Sequence, residues 1–337
     1  MGRAGPRVTI LNGRPWRRGV LGATAVLLAV AVAYWGLQAW RSRGFTEYRM
    51  PSPTDIPAAV AVAPDGTAWV TIEFSDAIGV VRNGRVEKIR KGRANFEPLG
   101  LAVDAEGHAW YTDGPARVVS RVSPDGAVTS FALAGSLAKL GRLAVAPDGA
   151  VWFAEETALA FTRLKDGAFT RYEVPSALGA PPFGVAVDAD GTVWGSLPRA
   201  NKLVRIAKAG PPVELDVPTR GSQIGDVAVD RVNTVWFVEM RTNRIGRYAN
   251  GVFSNYPVPT PSAGLTALAT APDGAVWFTE LRGHQLGRLR DGVVTEFPLP
   301  RRDARPFGIA VDRAGNVWYT DLSGWLGRLS AARATAR

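Results

Sequence analysis

The apolar positions of this chain follow two patterns. Residues 19–40, GVLGATAVLLAVAVAYWGLQAW, are one uncharged run of 22 residues. From residue 45 onward the apolar residues come in short bursts broken by Asp-Gly, Asn-Gly and Pro-containing turns. Residues 305–328, RPFGIAVDRAGNVWYTDLSGWLGR, show the unit. An apolar run at 308–311 is followed by a turn at 312–315. A second strand at 316–320 ends in the acid Asp321, and after a loop comes a third strand at 325–328. The same arrangement recurs at 183–205, at 268–288 and in four other places.

The Trp of each unit stands at Trp69, Trp110, Trp152, Trp194, Trp236, Trp277 and Trp318, with spacings of 41, 42, 42, 42, 41 and 41. A fixed period in the low forties, filled with short β-rich runs and Gly turns, marks the blades of a propeller. Helical repeats of similar period need long 3.6-residue apolar patterning, which is seen nowhere outside 19–40. Each unit predicts four strands; in the sixth these are 268–270, 275–279, 285–289 and 293–297. Turns at 271–274 and 290–292 contain Asp-Gly pairs, which supply the positive-φ positions of tight hairpins. The Trp is expected between neighbouring blades, because one blade cannot bury both its faces alone.

The seventh unit stops after its third strand, at Leu329. Residues 45–51, FTEYRMP, match the fourth strands VTEFP at 294–298 and FTRYEVP at 169–175. They predict an outer strand of the last blade that joins the two chain ends and removes an exposed edge. The expected fold is all-β: a seven-bladed β-propeller over 45–330, closed by an N-terminal strand, preceded by one transmembrane helix and followed by a tail at 331–337.

A helix of the length of 19–40 covers about 30 Å, the thickness of a bilayer's hydrocarbon core. Tyr34, Trp35 and Trp40 lie at its far end. Five Arg precede it and two follow, so the positive-inside rule leaves 1–18 as a cytoplasmic leader and the propeller outside. The expectation is a single-pass membrane anchor with a periplasmic or extracellular domain. A cleaved signal peptide is the second reading, since 31–33 is an A-x-A site and cleavage near Ala33 would give a secreted protein. Arg17-Arg18 also resembles a weak twin-arginine export signal.

Charge changes the picture only through its location. Lys and Arg number 40 against 30 Asp and Glu. Removing the seven Arg of 1–44, a segment without acids, leaves 33 basic residues against 30 acidic, a net of +3 for 45–337. That argues against a nucleic-acid groove. The absence of Cys excludes disulfides, thiolate metal sites and a lipoprotein anchor. No Gly-x-Ser-x-Gly, Walker or His-Glu-x-x-His motif occurs.

The segments PFGIAVD at 306–312, VWFTE at 276–280, NRIGR at 243–247 and TEFPLP at 295–300 together resemble the streptogramin B lyases, also called virginiamycin B lyases. The resemblance runs from about 45 to 330. It implies a seven-bladed propeller and a carbon-oxygen lyase that opens the ester of a cyclic depsipeptide antibiotic by Mg²⁺-assisted elimination. Such chemistry needs a base beside the departing proton and a cation or acid for the developing charge. The family has His after the Pro that opens the first strand of its last two blades. Here Phe307 and Thr266 hold those positions. Arg305 stands where the family has a Glu, and Asp321 lies near its second Glu.

Taken without the family, the corresponding rim positions are Ala58, Leu99, Gly141, Phe183, Gly225, Thr266 and Phe307. This is a small apolar rim with two Phe, either a channel plug or a contact for an apolar ligand. Acids stand three residues after most of the Trp: Asp113, Glu155, Glu239, Glu280 and Asp321, with Glu73 one place later in the first unit and Leu197 in the fourth. Two readings fit them, an anionic ring for a cation or a structural role repeated in each blade. Recurring third-strand Arg, from Arg121 to Arg328, are expected in pairs at blade seams. Arg142, Asp226 and Arg305 break the repeat at the mouths of their strands and are ligand-binding candidates together with Phe183, Thr266 and Phe307. Glu280 with His284 is the one acid–base constellation, and with Asp321 it forms the candidate catalytic set; His108 lies in a turn on the far face.

Two functions compete. One is a membrane-tethered lyase-like propeller that binds a small-molecule or peptide ligand without the family's lyase activity. The other is a Mg²⁺-dependent streptogramin B lyase-like enzyme rebuilt around Glu280, His284 and Asp321. The loss of both rim histidines favours the binding module. No dedicated protein metal site and a monomer are expected.

Overall fold

The computed structural model describes residues 2, 30, 42–92, 98–135, 139–175, 179–208 and 210–335. The chain divides into two compact units, Met1–Arg43 and Gly44–Arg337. The first lies almost wholly outside the described residues, and with it the expected membrane helix at 19–40. Among the described residues no helix is long and apolar enough to cross a membrane.

The second unit is built of seven four-stranded antiparallel sheets. Six are consecutive in sequence, from the sheet Ile56–Val62, Ala68–Glu73, Ala77–Arg82, Arg85–Arg90 to the sheet Leu265–Thr270, Val276–Glu280, Gln285–Arg290, Val293–Pro298. The seventh takes Pro306–Val311, Val317–Asp321 and Trp325–Leu329 from the C-terminus and Phe45–Arg49 from the N-terminus. Phe45 pairs with Leu329 and Arg49 with Trp325, the closure the displaced strand predicts. Tyr48 stacks on Trp318 at 5.8 Å between ring centroids, and Glu47 accepts from Arg301 Nε at 3.1 Å. The N-terminal strand covers Trp325–Leu329, which would otherwise be the edge of a three-stranded blade. Residues 331–335 form a short helix, Ala331–Thr335, whose Ala334 is buried in the cluster between blades six and seven.

The core is seven separate clusters, each lying between successive blades and each holding one repeat Trp. Trp277 of blade six packs with Ile309, Val317 and Tyr319 of blade seven, and Trp318 of blade seven with Val60, Val70 and Ile72 of blade one. In four blades an Asp six residues before the Trp accepts its indole N–H: Asp104, Asp188, Asp230 and Asp312. The hairpin turns follow the sequence signal. Asn83-Gly84, Asp166-Gly167, Asn250-Gly251 and Asp291-Gly292 each place both residues at positive φ.

The third-strand Arg differ from their expected seam pairing. Arg121, Arg247, Arg288 and Arg328 sit over the Trp of their own blade at 5.6, 5.8, 6.0 and 5.6 Å. The reason is register: Trp110 opposes Arg121, and Trp318 opposes Arg328, as direct cross-strand partners.

Candidate functional site

Five of the seven first strands have a register shift at the channel mouth, as between Pro306 and Ile309. Such a bulge leaves backbone groups unpaired with the second strand. In three of these blades, and also in blades two and four, a hydroxyl two residues after the Trp bonds such groups. Thr320 accepts from the Gly308 N–H at 2.7 Å and donates to the Ala58 carbonyl of blade one at 2.8 Å. Thr71, Ser196 and Thr279 make the same double bond, to Ala59 and Pro98, to Gly184 and Gly225, and to Ala267 and Phe307. Thr112 donates to Gly141. The residue after the mouth position must then be small: a Cβ on Gly308 would lie 2.5 Å from the Ala58 oxygen.

Blades three and five lack the hydroxyl, having Ala154 and Val238. These are the blades with Arg142 and Asp226 at the small position. The two side chains converge: Arg142 Nε stands 3.3 Å from Asp226 Oδ1, and the guanidinium lies 5.8 Å from the ring of Phe183 in blade four. Arg142 donates its backbone N–H to the Phe183 carbonyl at 3.3 Å, and Asp226 Oδ2 accepts from the Leu268 N–H at 3.3 Å. The missing seams three-to-four and five-to-six are thus bridged by these two residues. Burial pushes the Asp226 carboxyl above its ordinary value, against the opposing field of Arg142. Arg142 Nε and Nη2 are buried and have no hydrogen-bond partner among the described residues.

The other rim candidates are held differently. Thr266 donates to the Phe307 carbonyl at 2.8 Å and contacts the Thr279 hydroxyl at 2.7 Å. Phe183 and Phe307 are half-buried, and the Arg305 side chain is exposed.

Four of the five repeat acids are tied down by donors. Asp113 pairs with Lys91 Nζ at 2.7 Å, with both side chains 4% exposed. Glu155 takes a two-pronged bond from Arg171, Nε to Oε2 at 2.8 Å and Nη2 to Oε1 at 2.7 Å. Glu239 accepts from Thr219 and Thr242. Asp321, fully buried, accepts from Arg301, from the Arg305 N–H at 2.9 Å and from Ser323. Repetition of an acid in the sequence does not reveal these partners, which come from adjoining loops and fourth strands.

Glu280 is the exception. It is 0% exposed, accepts from Gln285 Nε2 at 2.8 Å through Oε2, and has no partner for Oε1. Gln285 also donates to Thr260 at 2.8 Å, and among the described residues no ion pair answers this acid. Burial, only partly offset by the Gln285 bond and reinforced by the charge of Glu296, raises its pKa to about 7. His284 is exposed, at φ 56°, with Nδ1 2.6 Å from the Ala304 carbonyl. The two side chains thus use their described bonds on other partners, and no hydrogen bond joins them.

Magnesium wants oxygen ligands, commonly one or two carboxylates plus water. Around the mouth Asp321 and Glu155 are already neutralised by guanidinium groups, and Glu280 is buried. Among the described residues the one set of three acid or His donors within mutual reach is Asp104, Glu106 and His108, in a first turn on the far face. There Asp104 already accepts from Trp110 and from the His108 amide. The described residues of the mouth do not fit a magnesium site. A cleft of about 520 Å³ opens on the far face between blades three and four, lined by Trp152, Arg163, Tyr172 and Lys208.

A ring of seven blades closed by its own N-terminal strand, with hydroxyl seams and the Arg142–Asp226 pair at its mouth, defines a single-chain seven-bladed propeller. The profile of the Virginiamycin B lyase family matches residues 39–158 and 138–336, and the chain belongs to that family. A virginiamycin B lyase of Nocardia farcinica is 34% identical over 167 residues, 49% of this chain and 57% of that protein, so the chain spans little more than half the length of this relative. A streptogramin B lyase structure superposes with a TM-score of 0.79 at 26% identity, covering 84% of this chain and 96% of that one. A catalytically inactive variant of the Staphylococcus aureus virginiamycin B lyase with quinupristin gives 0.79 at 24% identity, covering 85% and 98%, and shows likeness of fold. YCF48 bound to D1 peptide, at 11% identity and a TM-score of 0.69 over 87% and 97%, likewise shares the fold alone.

Proposed function

We propose that this chain is an extracytoplasmic ligand-binding propeller, held at a membrane through residues 19–40, with the fold of the lyase family and without its ester-opening chemistry. One observation carries the reading. At the positions where the family resemblance expects two His and two Glu stand Phe307, Thr266, Arg305 and Asp321. The Thr266 hydroxyl is committed to a backbone carbonyl, and Asp321 is fully buried under Arg301. None of the four is placed to take a proton from a ligand, and the mouth offers no free carboxylate pair to a cation. The ligand is a small molecule or a peptide, as quinupristin and the D1 peptide are for proteins of the same fold. The propeller acts as a monomer and does not bind nucleic acid.

The alternative, an enzyme rebuilt around Glu280, His284 and Asp321, draws on the Glu280 pKa of about 7 and its unpartnered Oε1. Incubating the purified full-length chain with a streptogramin B and Mg²⁺ decides between them. Elimination leaves mass unchanged and shifts retention time, so both are followed. The expected result is intact antibiotic. Ring-opened product that disappears in Glu280→Gln or His284→Ala would establish the enzyme. Cell fractionation tests the tether: full-length chain in the membrane fraction supports it, and full-length chain in the soluble cytosol overturns it.

A further inference from the structure

We propose that Arg142 is the anchor of a carboxylate-binding site at the channel mouth, with Phe183 as its aromatic wall and Asp226 as the internal carboxylate that a ligand's carboxylate displaces. The inference rests on the ligand-binding reading above and names the ligand's chemical class.

The argument begins with the edge of the guanidinium. Nε–H and Nη2–H form the fork that grips a planar carboxylate through two parallel bonds. The molecule contains one completed example, Arg171 on Glu155, at 2.8 and 2.7 Å. In Arg142 the same two nitrogens are buried and unpartnered. Asp226 Oδ1 stands 3.3 Å from Nε and makes no hydrogen bond to it, while Oδ2 is drawn toward the Leu268 N–H of blade six. A buried donor left unmatched is costly, so two together call for an explanation.

A structural role alone explains this pair poorly. In five blades a hydroxyl joins the seam with a neutral, fully matched bond. Blades three and five give that up for two charges at the small position, backed by Ala154 and Val238. Such an exchange adds no hydrogen bond for the guanidinium fork. It does place a cation at the mouth, 13% exposed, under an aromatic ring whose apolar wall suits a ligand with a hydrophobic group beside its carboxylate. One guanidinium already facing one carboxylate favours a monoanion over a phosphate.

Calorimetric titration of the purified full-length chain in detergent tests this, with N-acetyl-L-phenylalanine and N-acetyl-L-phenylalaninamide as probes. They differ only in the carboxylate. The acid is expected to bind and the amide to give no heat. Arg142→Gln should weaken the acid by at least about tenfold, the worth of one charge-assisted bond. Asp226→Asn should tighten it, because the competing carboxylate is gone and the side chain's shape is kept. A C-terminal phenylalanine peptide run beside the free amino-acid derivative separates a peptide end from a small acid as the source of the group. Absence of heat with the acid, equal binding of acid and amide, or affinity unchanged in Arg142→Gln each overturns the proposal. Should Arg142→Gln fail to fold, Asp226→Asn decides: unchanged or weaker binding of the acid sinks it. The two readings also fail separately. Ring-opened streptogramin would end the non-enzymatic reading and leave the carboxylate site standing, whereas intact antibiotic with no acid binding would do the reverse.

Discussion

Arg142 Nε lies 3.3 Å from Asp226 Oδ1, although the two residues belong to blades three and five. The Arg142 guanidinium also lies over the ring of Phe183 in blade four. Arg142 and Asp226 both occupy the position that is Ala or Gly in the other five blades, and both face a second strand that has lost its bridging hydroxyl. The channel mouth therefore has two kinds of joint: a repeated neutral one, and a single charged one confined to one side of the ring. The first bears on stability and the second on what the mouth can bind.

Thr320→Val should loosen the closing seam. The substitution keeps the shape and removes the hydroxyl that links Gly308 to Ala58. Two buried backbone groups lose their partner, which costs about 1–3 kcal/mol. Chemical denaturation should show a lower midpoint with an unchanged slope; a midpoint equal to the parent's would show the hydroxyl to be dispensable.

Tyr48→Ala should weaken the joint between the chain ends. It removes the stacking partner of Trp318 on a strand that pairs only with Trp325–Leu329 within its sheet. The expected loss is about 1–3 kcal/mol, combining lost burial with the aromatic contact. Limited proteolysis near residues 42–50 should accelerate in the variant, and an unchanged cleavage rate would count against this joint as the weak point.

Arg301→Ala should be more damaging than either. Arg301 pairs with fully buried Asp321 and with Glu47 of the closing strand. Removing one partner of a buried pair leaves an uncompensated charge and costs about 3–5 kcal/mol. Thermal unfolding would register it as the largest fall among these three variants.

Glu280 makes a pH signature. Its folded pKa is raised to about 7, so the folded state holds its proton more tightly than the unfolded chain does. The contribution is fully present below the unfolded value of about 4.3, declines as pH rises, and is lost above about 7. Glu280→Gln should therefore match the parent at pH 4 and exceed it at pH 8, by on the order of 3 kcal/mol. Unfolding curves at the two pH values check it; a variant less stable than the parent at pH 8 would place a needed negative charge at this site.

Seven Trp at a period of 41 or 42 residues, with Asp-Gly and Asn-Gly turns between short apolar runs, were enough to determine the blades and the strand borrowed from the N-terminus. Those features are local: each Trp, turn and strand is specified within its own unit, and a repeat multiplies the signal seven times. The rim residues, too, were identifiable by position, since a departure from a repeat stands out. What Arg142, Asp226 and Glu280 do there depended on neighbours that no local pattern names. Only the closed ring brings blade three's Arg142 against blade five's Asp226 and over the ring of blade four's Phe183. Whether an acid is neutralised depends on which side chain of a neighbouring strand or loop reaches it, Arg171 for Glu155, Arg301 for Asp321, and Gln285 for Glu280. The energy of a charge is set by all the matter within several ångströms of it, and that surrounding is assembled only when the ring closes.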